Sequence, residues 1–280
     1  MMLRDDLPRM MPEEFRLLRD LIYEYCGIYF QDDTSYLLQR RLAPRLEATA
    51  SRTFADYYEY LRYDPRRREE LEEIVERVTT NETYFFRESY QLDAFRHEIL
   101  PEVHARRPRG RRLMVWSAGC ATGEEAYTCA ILVLESGLFA DWDVRIFGND
   151  ISRRVLSVAR KATYGHNSFR STDERYLRRY FRPVDGRYQV KDEVKQLVSF
   201  GQLNLMDSET LSLVGECDVI LCRNVLIYFD LDSRKRCIAN FHKRLVKGGY
   251  LLLGHSESLL NISTAFELVH LQNDMVYRKP

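Results

Sequence analysis

The stretch Val115–Thr128, VWSAGCATGEEAYT, constrains the fold more than any other. An apolar run, Leu113-Met114-Val115-Trp116, breaks off into small residues, with Gly119 and Gly123 bracketing Cys120-Ala121-Thr122. Glu124-Glu125 then opens a run in which Ala126, Cys129, Ala130, Val133 and Leu134 recur at helical spacing, and Gly137 stands where a helix stops. The pattern predicts a strand, a tight turn and a helix N-terminus. Such a turn lets a ligand approach the backbone and offers it N–H groups. It is not G-x-G-x-x-G, because Ala118 stands at the first glycine position, nor a P-loop, because no Gly-Lys-Ser/Thr follows. The acidic pair argues against a phosphate there and for a nucleoside ligand with little or no negative charge.

The same alternation continues. Val144–Gly148 reads as a second strand ending in Asn149-Asp150. An acidic residue at that tip accepts hydrogen bonds from ribose hydroxyls, and Asp150 lies about thirty residues beyond Gly119, a little more than usual. Ser152 caps a helix through Val155, Leu156 and Ala159. The segment 164–195 interrupts the pattern with a short helix (Glu174 to Phe181) and a hairpin about Asp185-Gly186. Val198-Ser199-Phe200 leads to Asn204-Leu205, and Val219–Cys222 is a buried strand ending in Arg223-Asn224-Val225-Leu226-Ile227-Tyr228-Phe229. Asp232 reads as the cap of a helix through Ile238, Phe241 and Leu245, stopped by Gly248-Gly249. Tyr250–Leu253 is a fifth strand, and Phe266–Leu271 with Met275–Tyr277 a closing hairpin about Asn273-Asp274. This is α/β: a doubly wound, mostly parallel sheet with ligands at the carboxyl ends of the strands. The terminal antiparallel hairpin suits a class I methyltransferase type of sheet better than a dehydrogenase one.

The first eighty residues differ. From about Pro12 to Thr80 the periodicity is helical throughout: Phe15, Leu18, Leu21, Ile22 and Tyr25 form one stripe ended by Gly27, Tyr36 to Leu46 a second, Phe54 to Leu61 a third and Leu71 to Val78 a fourth. The second helix carries Arg40, Arg41 and Arg45, either a solvated face or a docking surface for an acidic partner. Leu92 to Leu100 reads as another helix. Arg106, Arg107, Arg109, Arg111 and Arg112 form a basic loop, read as a solvated linker. The 42 basic and 42 acidic residues cancel, so the bulk charge gives nucleic acid no attraction. The six cysteines include no C-x-x-C pair and read as buried free thiols of a reducing cytosol. With Asp5, Asp6, Glu13 and Glu14 and no apolar h-region near the start, no signal peptide is expected, and no apolar run approaches membrane-spanning length. The histidines show no metal spacing; His255 alone stands at a strand end.

Five stretches carry a family resemblance: Thr80-Asn81-Glu82-Thr83-Tyr84-Phe85-Phe86-Arg87, Ala118–Tyr127, Asn149-Asp150-Ile151-Ser152, Cys222–Phe229 and Gly254-His255-Ser256-Glu257-Ser258. In this combination and order the chain resembles the chemotaxis receptor methyltransferases, the CheR family, over nearly its whole length. The resemblance implies an all-helical N-terminal domain, residues 1–80, and an S-adenosylmethionine-dependent domain, residues 81–280, with a small β-subdomain inserted at about 164–195. It implies cofactor contacts by Asn81, Thr83 and Arg87 from the domain junction, Glu124 from the glycine turn (Glu125 also fits) and Asp150 on the ribose. Asn204 and Leu205 would flank the adenine, and Arg223 and Asn224 the methionine portion. Tyr228 would face the transferred methyl group as the catalytic residue. The implied substrate is a glutamate side chain on the cytoplasmic helical bundle of methyl-accepting chemotaxis receptors, the products a γ-methyl ester and S-adenosylhomocysteine. The arginines of the second helix then become a surface for that bundle, and the chain is expected to be a cytoplasmic monomer with no nucleic acid partner and no membrane insertion. Members that tether to a receptor's C-terminal peptide carry a longer glycine-containing loop in the β-subdomain. Here only Arg182-Pro183-Val184-Asp185 separates Phe181 from Gly186, which favours direct recognition of the methylation region.

Two other classes share features. Amino-methylating nucleic-acid methyltransferases place Asn/Asp-Pro-Pro-aromatic after the fourth strand to hold a flipped base, whereas this chain has Arg223-Asn224-Val225-Leu226-Ile227-Tyr228 without prolines. A non-catalytic S-adenosylmethionine-sensing or scaffolding module would keep the pocket but not the chemistry.

Overall fold

A computed structural model describes residues 8–106 and 111–280; Arg107 and Arg109 of the basic loop, and Asp5 and Asp6, lie outside the described residues. The chain forms two compact units. One takes the described residues up to Thr80 with Tyr228–Ser233, the other Asn81–Ile227 with Arg234–Pro280.

The first unit is helical: α1 (Pro12–Cys26), α2 (Ser35–Ala48), α3 (Phe54–Tyr63) and α4 (Arg67–Val78). Each end has a local cause. Pro12 sits at the start of α1, Glu14 reaches back to the Met11 N–H, and Gly27 at φ 74° closes the helix in the left-handed region. Thr53 and Asp56 form a reciprocal capping box on α3. The apolar stripes meet in a core of Leu18, Ile22, Leu38, Leu42, Phe54, Tyr57 and Ile74, all buried. The arginines of α2 do not form one solvated face. Arg40 is exposed, but Arg45 donates to Glu70 through Nε and Nη2 at 2.8 and 2.6 Å, and Arg41 is hydrogen-bonded to the Val78 carbonyl. The segment 228–233 packs in this unit too: Tyr29 N donates to the Tyr228 carbonyl at 3.0 Å, and the Tyr23 hydroxyl lies 3.1 Å from Asp230.

The second unit opens with α5 (Ser89–Ala94), a π-turn over Phe95–Ile99 and α6 (Leu100–Arg106). The expected single helix over Leu92–Leu100 is thus longer and contains a wide turn, which puts Leu92, Phe95, Ile99, Leu100 and Val103 all in the core. There follow β1 (Arg112–Ala118), α7 (Glu124–Ser136), β2 (Asp143–Asp150), α8 (Arg153–Lys161), β3 (Thr163–Tyr164), α9 (Glu174–Tyr180), β4 (Phe181–Val184), β5 (Arg187–Val190), α10 (Asp192–Lys195), β6 (Val198–Gln202), α11 (Ser208–Leu211), β7 (Cys217–Cys222), α12 (Leu231–Arg244), β8 (Leu245–Leu253), β9 (Glu267–His270) and β10 (Met275–Arg278). The seven-stranded sheet has the order β6-β2-β1-β7-β8-β10-β9. β1, β2, β6, β7 and β8 run parallel, and β10 and β9 antiparallel. This is the fold expected from the alternation and the closing hairpin. Strands β3, β5 and β4 form a separate antiparallel sheet.

Two local expectations are corrected. Asp232 lies inside α12, and the cap is Asp230, whose Oδ1 accepts from Ser233 N at 2.9 Å. Gly248-Gly249 do not stop the helix. It ends at Arg244, β8 begins at Leu245, and both glycines sit in the strand, exchanging hydrogen bonds with Lys279. Pairing of Leu245 with Cys217 starts the strand before the glycines are reached. All six cysteines are free and buried. Among the described residues no helix is long and apolar enough to cross a membrane.

Candidate active site at the carboxyl ends of the strands

The turn after β1 is built for close approach. Gly119 and Gly123 adopt φ 75° and 92°, in the left-handed region. A Cβ on Gly119 would lie 2.5 Å from Val225 Cγ2, and one on Gly123 2.8 Å from Ala159 Cβ. The N–H groups of Gly119 and Cys120 both donate to the Asn149 carbonyl, at 2.9 and 2.8 Å. The Asn149 side chain accepts from Trp116 Nε1 at 2.7 Å and donates to the Leu203 carbonyl at 3.1 Å, so one buried amide ties the ends of β1 and β2 to the chain leaving β6.

Asp150 stands at the tip of β2. Its Oδ2 accepts from Ala121 N at 3.0 Å and its Oδ1 from Ser152 N at 2.9 Å. These bonds fix the orientation of the carboxylate at the strand end. Asn204 Oδ1 accepts from Met206 N at 3.0 Å, and Leu205 is buried, its carbonyl 3.3 Å from Asn240 Nδ2.

The two glutamates opening α7 diverge. Glu124 is buried, its Oε2 accepting from Thr122 Oγ1 at 2.6 Å and its Oε1 from Ser168 Oγ at 3.0 Å. Burial pushes its pKa up, against the pull of those hydrogen bonds. Glu125 accepts from Ser117 Oγ at 2.7 Å and pairs with Arg223 Nη1 at 3.3 Å.

Asn81, Thr83 and Arg87 lie on an irregular segment anchored within this unit. Phe85 N donates to the Ser168 carbonyl at 2.9 Å, and Phe86 N to Thr128 Oγ1 at 3.2 Å. Arg170 pairs with Glu82 at 2.8 Å and stacks on Tyr84 at 3.7 Å from the ring centre. Arg87 Nη1 donates to the Glu82 carbonyl at 2.9 Å. Phe85 and Phe86 are buried in the core; Tyr84 is half-buried beneath Arg170.

Beyond β7 the Arg223 side chain is 3 % exposed. Its Nη2 reaches the Arg87 carbonyl at 2.6 Å and Glu88 Oε2 at 3.0 Å, with Glu125 on Nη1. Burial, the largest influence, works against its charge; Glu125 and Glu88 outweigh it and hold the pKa above its ordinary value. Among the described residues Arg223 Nε has no partner, nor has Asn224 Oδ1, although both atoms are buried. Asn224 is at φ 59°, and its N–H donates to Glu257 Oε2 at 2.9 Å.

This unit therefore brings together the glycine turn, Asp150, Asn204, Leu205, Glu124, Arg223 and Asn224 at strand ends, with Asn81, Thr83 and Arg87 on the anchored segment. Tyr228 belongs to the helical unit, where its hydroxyl lies 3.5 Å from the Thr80 carbonyl. Sequence reading left out Asn149, Glu88 and Glu257. Asn149 and Glu257 lie inside quoted motifs, but nothing in their spacing marks them as supports. His255 is exposed.

The orphaned atoms test the ligand class. A buried amide oxygen without a donor costs about 1–3 kcal/mol unless something supplies one, as an ammonium does. The carboxylates of Asp150, Glu124 and Glu125 about the turn suit a cationic, phosphate-free nucleoside. S-adenosylmethionine fits both.

Known proteins agree. Residues 81–275 match the CheR methyltransferase, SAM binding domain, and residues 13–79 the CheR methyltransferase, all-alpha domain. The chain is 36 % identical over 269 residues to chemotaxis protein methyltransferase 2 of Vibrio cholerae, covering 95 % of this chain and 93 % of that protein. It is 31 % identical to chemotaxis protein methyltransferase Cher2 of Pseudomonas putida, covering 95 % and 97 %. With both domain descriptions matched in order around this turn and these strand ends, the chain belongs to the CheR methyltransferase family.

Proposed function

We propose that this chain transfers methyl groups from S-adenosylmethionine to glutamate side chains of methyl-accepting chemotaxis receptors, giving γ-methyl esters. The observation that carries this reading is the strand-end cluster, with a carboxylate at the tip of β2 and an unpartnered buried amide beyond β7. When bound, S-adenosylmethionine supplies an activated methyl group and leaves as S-adenosylhomocysteine. Asp150 holds the ribose, Asn204 and Leu205 flank the adenine, and Arg223, Asn224, Glu124, Asn81, Thr83 and Arg87 complete the cofactor contacts.

The acceptor needs no base. A glutamate has a pKa of about 4.3 and is already an anionic nucleophile at neutral pH. The protein's task is to strip water from that carboxylate and hold it in line. Tyr228 orients the acceptor through its hydroxyl. Residues 1–80 act as the receptor-facing module and 81–280 as the methyltransferase. Arg40, exposed on α2, offers its charge to an acidic receptor bundle. The short β4–β5 connection favours recognition of the methylation region without a C-terminal tether. The protein works as a cytoplasmic monomer and takes no nucleic acid.

Calorimetric titration with S-adenosylhomocysteine tests the pocket. Roughly micromolar binding by wild type, lost in Asp150→Ala, is expected, followed by methyl transfer to a receptor cytoplasmic fragment. Absence of binding to wild type would overturn the reading.

A further inference from the structure

The loop after β8 carries a carboxylate whose acceptors face backbone N–H groups. Glu257 Oε2 accepts from Gly254 N at 2.7 Å and Asn224 N at 2.9 Å, and Oε1 from Ile227 N at 3.3 Å. Leu226 N also contributes. Three of these four donors belong to the turn that follows β7, so one side chain from the neighbouring strand's loop grips that turn along its length.

The turn needs a grip. Asn224 holds a left-handed conformation, unfavourable for a residue with a side chain by about 1 kcal/mol, though Asn tolerates it better than most. Its Oδ1 is buried and unpartnered, so nothing on its own side chain's acceptor end fixes it. Gly254 makes the approach possible: a Cβ there would lie 2.7 Å from Asn224 N and 2.9 Å from Glu257 Oε2. Taking a carboxylate out of water is costly unless it is hydrogen-bonded, and the half-buried setting of Glu257 does push its pKa up while the N–H groups pull it back. Nothing in the mechanism uses this acid, and packing alone would be served better by a neutral side chain.

We infer that Glu257 is a positioning residue: by accepting from Asn224, Leu226 and Ile227 it fixes the turn that presents Asn224 to the cofactor and leads into Tyr228. The inference rests on the reading of Asn224 as a cofactor contact.

The test is calorimetry with S-adenosylhomocysteine on wild type, Glu257→Gln, Glu257→Asp, Asn224→Ala and Ser256→Ala, at a temperature where circular dichroism shows all of them folded. Glu257→Gln places an NH2 donor against backbone donors. Its affinity is expected to fall about tenfold or more, as in Asn224→Ala, with Glu257→Asp intermediate and Ser256→Ala unchanged. A merely structural acid would lower the melting temperature and leave the folded protein's affinity alone. Wild-type affinity in Glu257→Gln beside a loss in Asn224→Ala would overturn the inference and keep the cofactor reading. Wild-type affinity in Asn224→Ala would remove the reading itself. If Glu257→Gln melts too low to assay, Glu257→Asp, one methylene short of the same N–H groups, is read by the same criteria.

Discussion

Each compact unit has an arginine held by carboxylates, and the two nodes are finished differently. In the helical unit Arg45 gives two parallel donors to Glu70, and the Tyr57 hydroxyl completes Glu70 Oε1 at 2.5 Å. In the methyltransferase unit Arg223 is shared among Glu88, Glu125 and the Arg87 carbonyl, while its buried Nε and the buried Oδ1 of Asn224 each have no partner among the described residues. Bidentate geometry, with Nε and Nη2 both donated to one carboxylate and Nη1 3.7 Å from Glu73, is how an ion pair locks helices together. Unused hydrogen-bonding capacity, buried at a cost, is what the proposed cofactor role of the second node would use. The difference fits a stabilising role for the first and the cofactor-binding role proposed above for the second.

The largest expected effect breaks the first node. Arg45→Met leaves the Glu70 carboxylate, 6 % exposed, with Tyr57 alone, and should lower unfolding free energy by about 3 kcal/mol in urea titrations. Affinity for S-adenosylhomocysteine should stay within about twofold, since no partner is shared with the other node. A parallel loss of affinity would show that the first node also serves binding. The converse variant is Asn224→Ala. It removes the orphaned acceptor, so stability should change by less than about 1 kcal/mol while affinity falls by about 2 kcal/mol, close to thirtyfold. Stability lost without affinity would make the second node structural like the first.

Two tyrosine hydroxyls extend the contrast. That of Tyr57 is tightly bound to Glu70, and burial pushes its pKa up. Among the described residues that of Tyr228 meets only the Thr80 carbonyl, at 3.5 Å, beyond the usual range of an O–H···O bond, as the acceptor-orienting role proposed for it requires. Tyr228→Phe should reduce kcat about tenfold, or about 1.4 kcal/mol, with S-adenosylhomocysteine affinity unchanged. A collapse of affinity instead would make Tyr228 a cofactor contact.

The second node was half legible in the sequence. Arg223 and Asn224 close a buried apolar strand, where polar residues have little reason to be except a site, and the small-residue turn after β1 has few other uses. The first node was not. The periodicity of α2 shows Arg45 on the polar side of the helix, but only the packing of α4 brings Glu70 to it, across 25 positions. Glu257 and Glu88 escaped for the same reason. A carboxylate that serves backbone N–H groups or a distant guanidinium leaves no local spacing, because its partners are set by which strands become neighbours. Gly248-Gly249 misled because glycine pairs mark helix ends only when no strand partner claims them first.

The smallest effect concerns acid, and it runs in opposite directions in the two regions. In the helical unit Asp56 accepts from the N–H groups of Arg52 and Thr53, both at 3.0 Å, and these bonds hold its pKa below the ordinary carboxylate value. The unfolded chain then binds the proton more tightly than the folded one. The stabilisation is present above the unfolded pKa, about 3.9, and is lost as pH falls through the folded one. In the methyltransferase unit burial raises the pKa of Glu124, so there the folded chain binds the proton more tightly and acid relieves a cost. Thermal melts from about pH 7 down to pH 3 separate the two. The deficit of Asp56→Asn relative to wild type should shrink toward acid. Glu124→Gln, which cannot take up the proton, should lose ground to wild type over the same descent. Equal slopes in both variants would mean that Glu124 is held as firmly ionised as Asp56. The buried start of α7 would then be a finished structural contact, and the role proposed for Glu124 at the cofactor would fall.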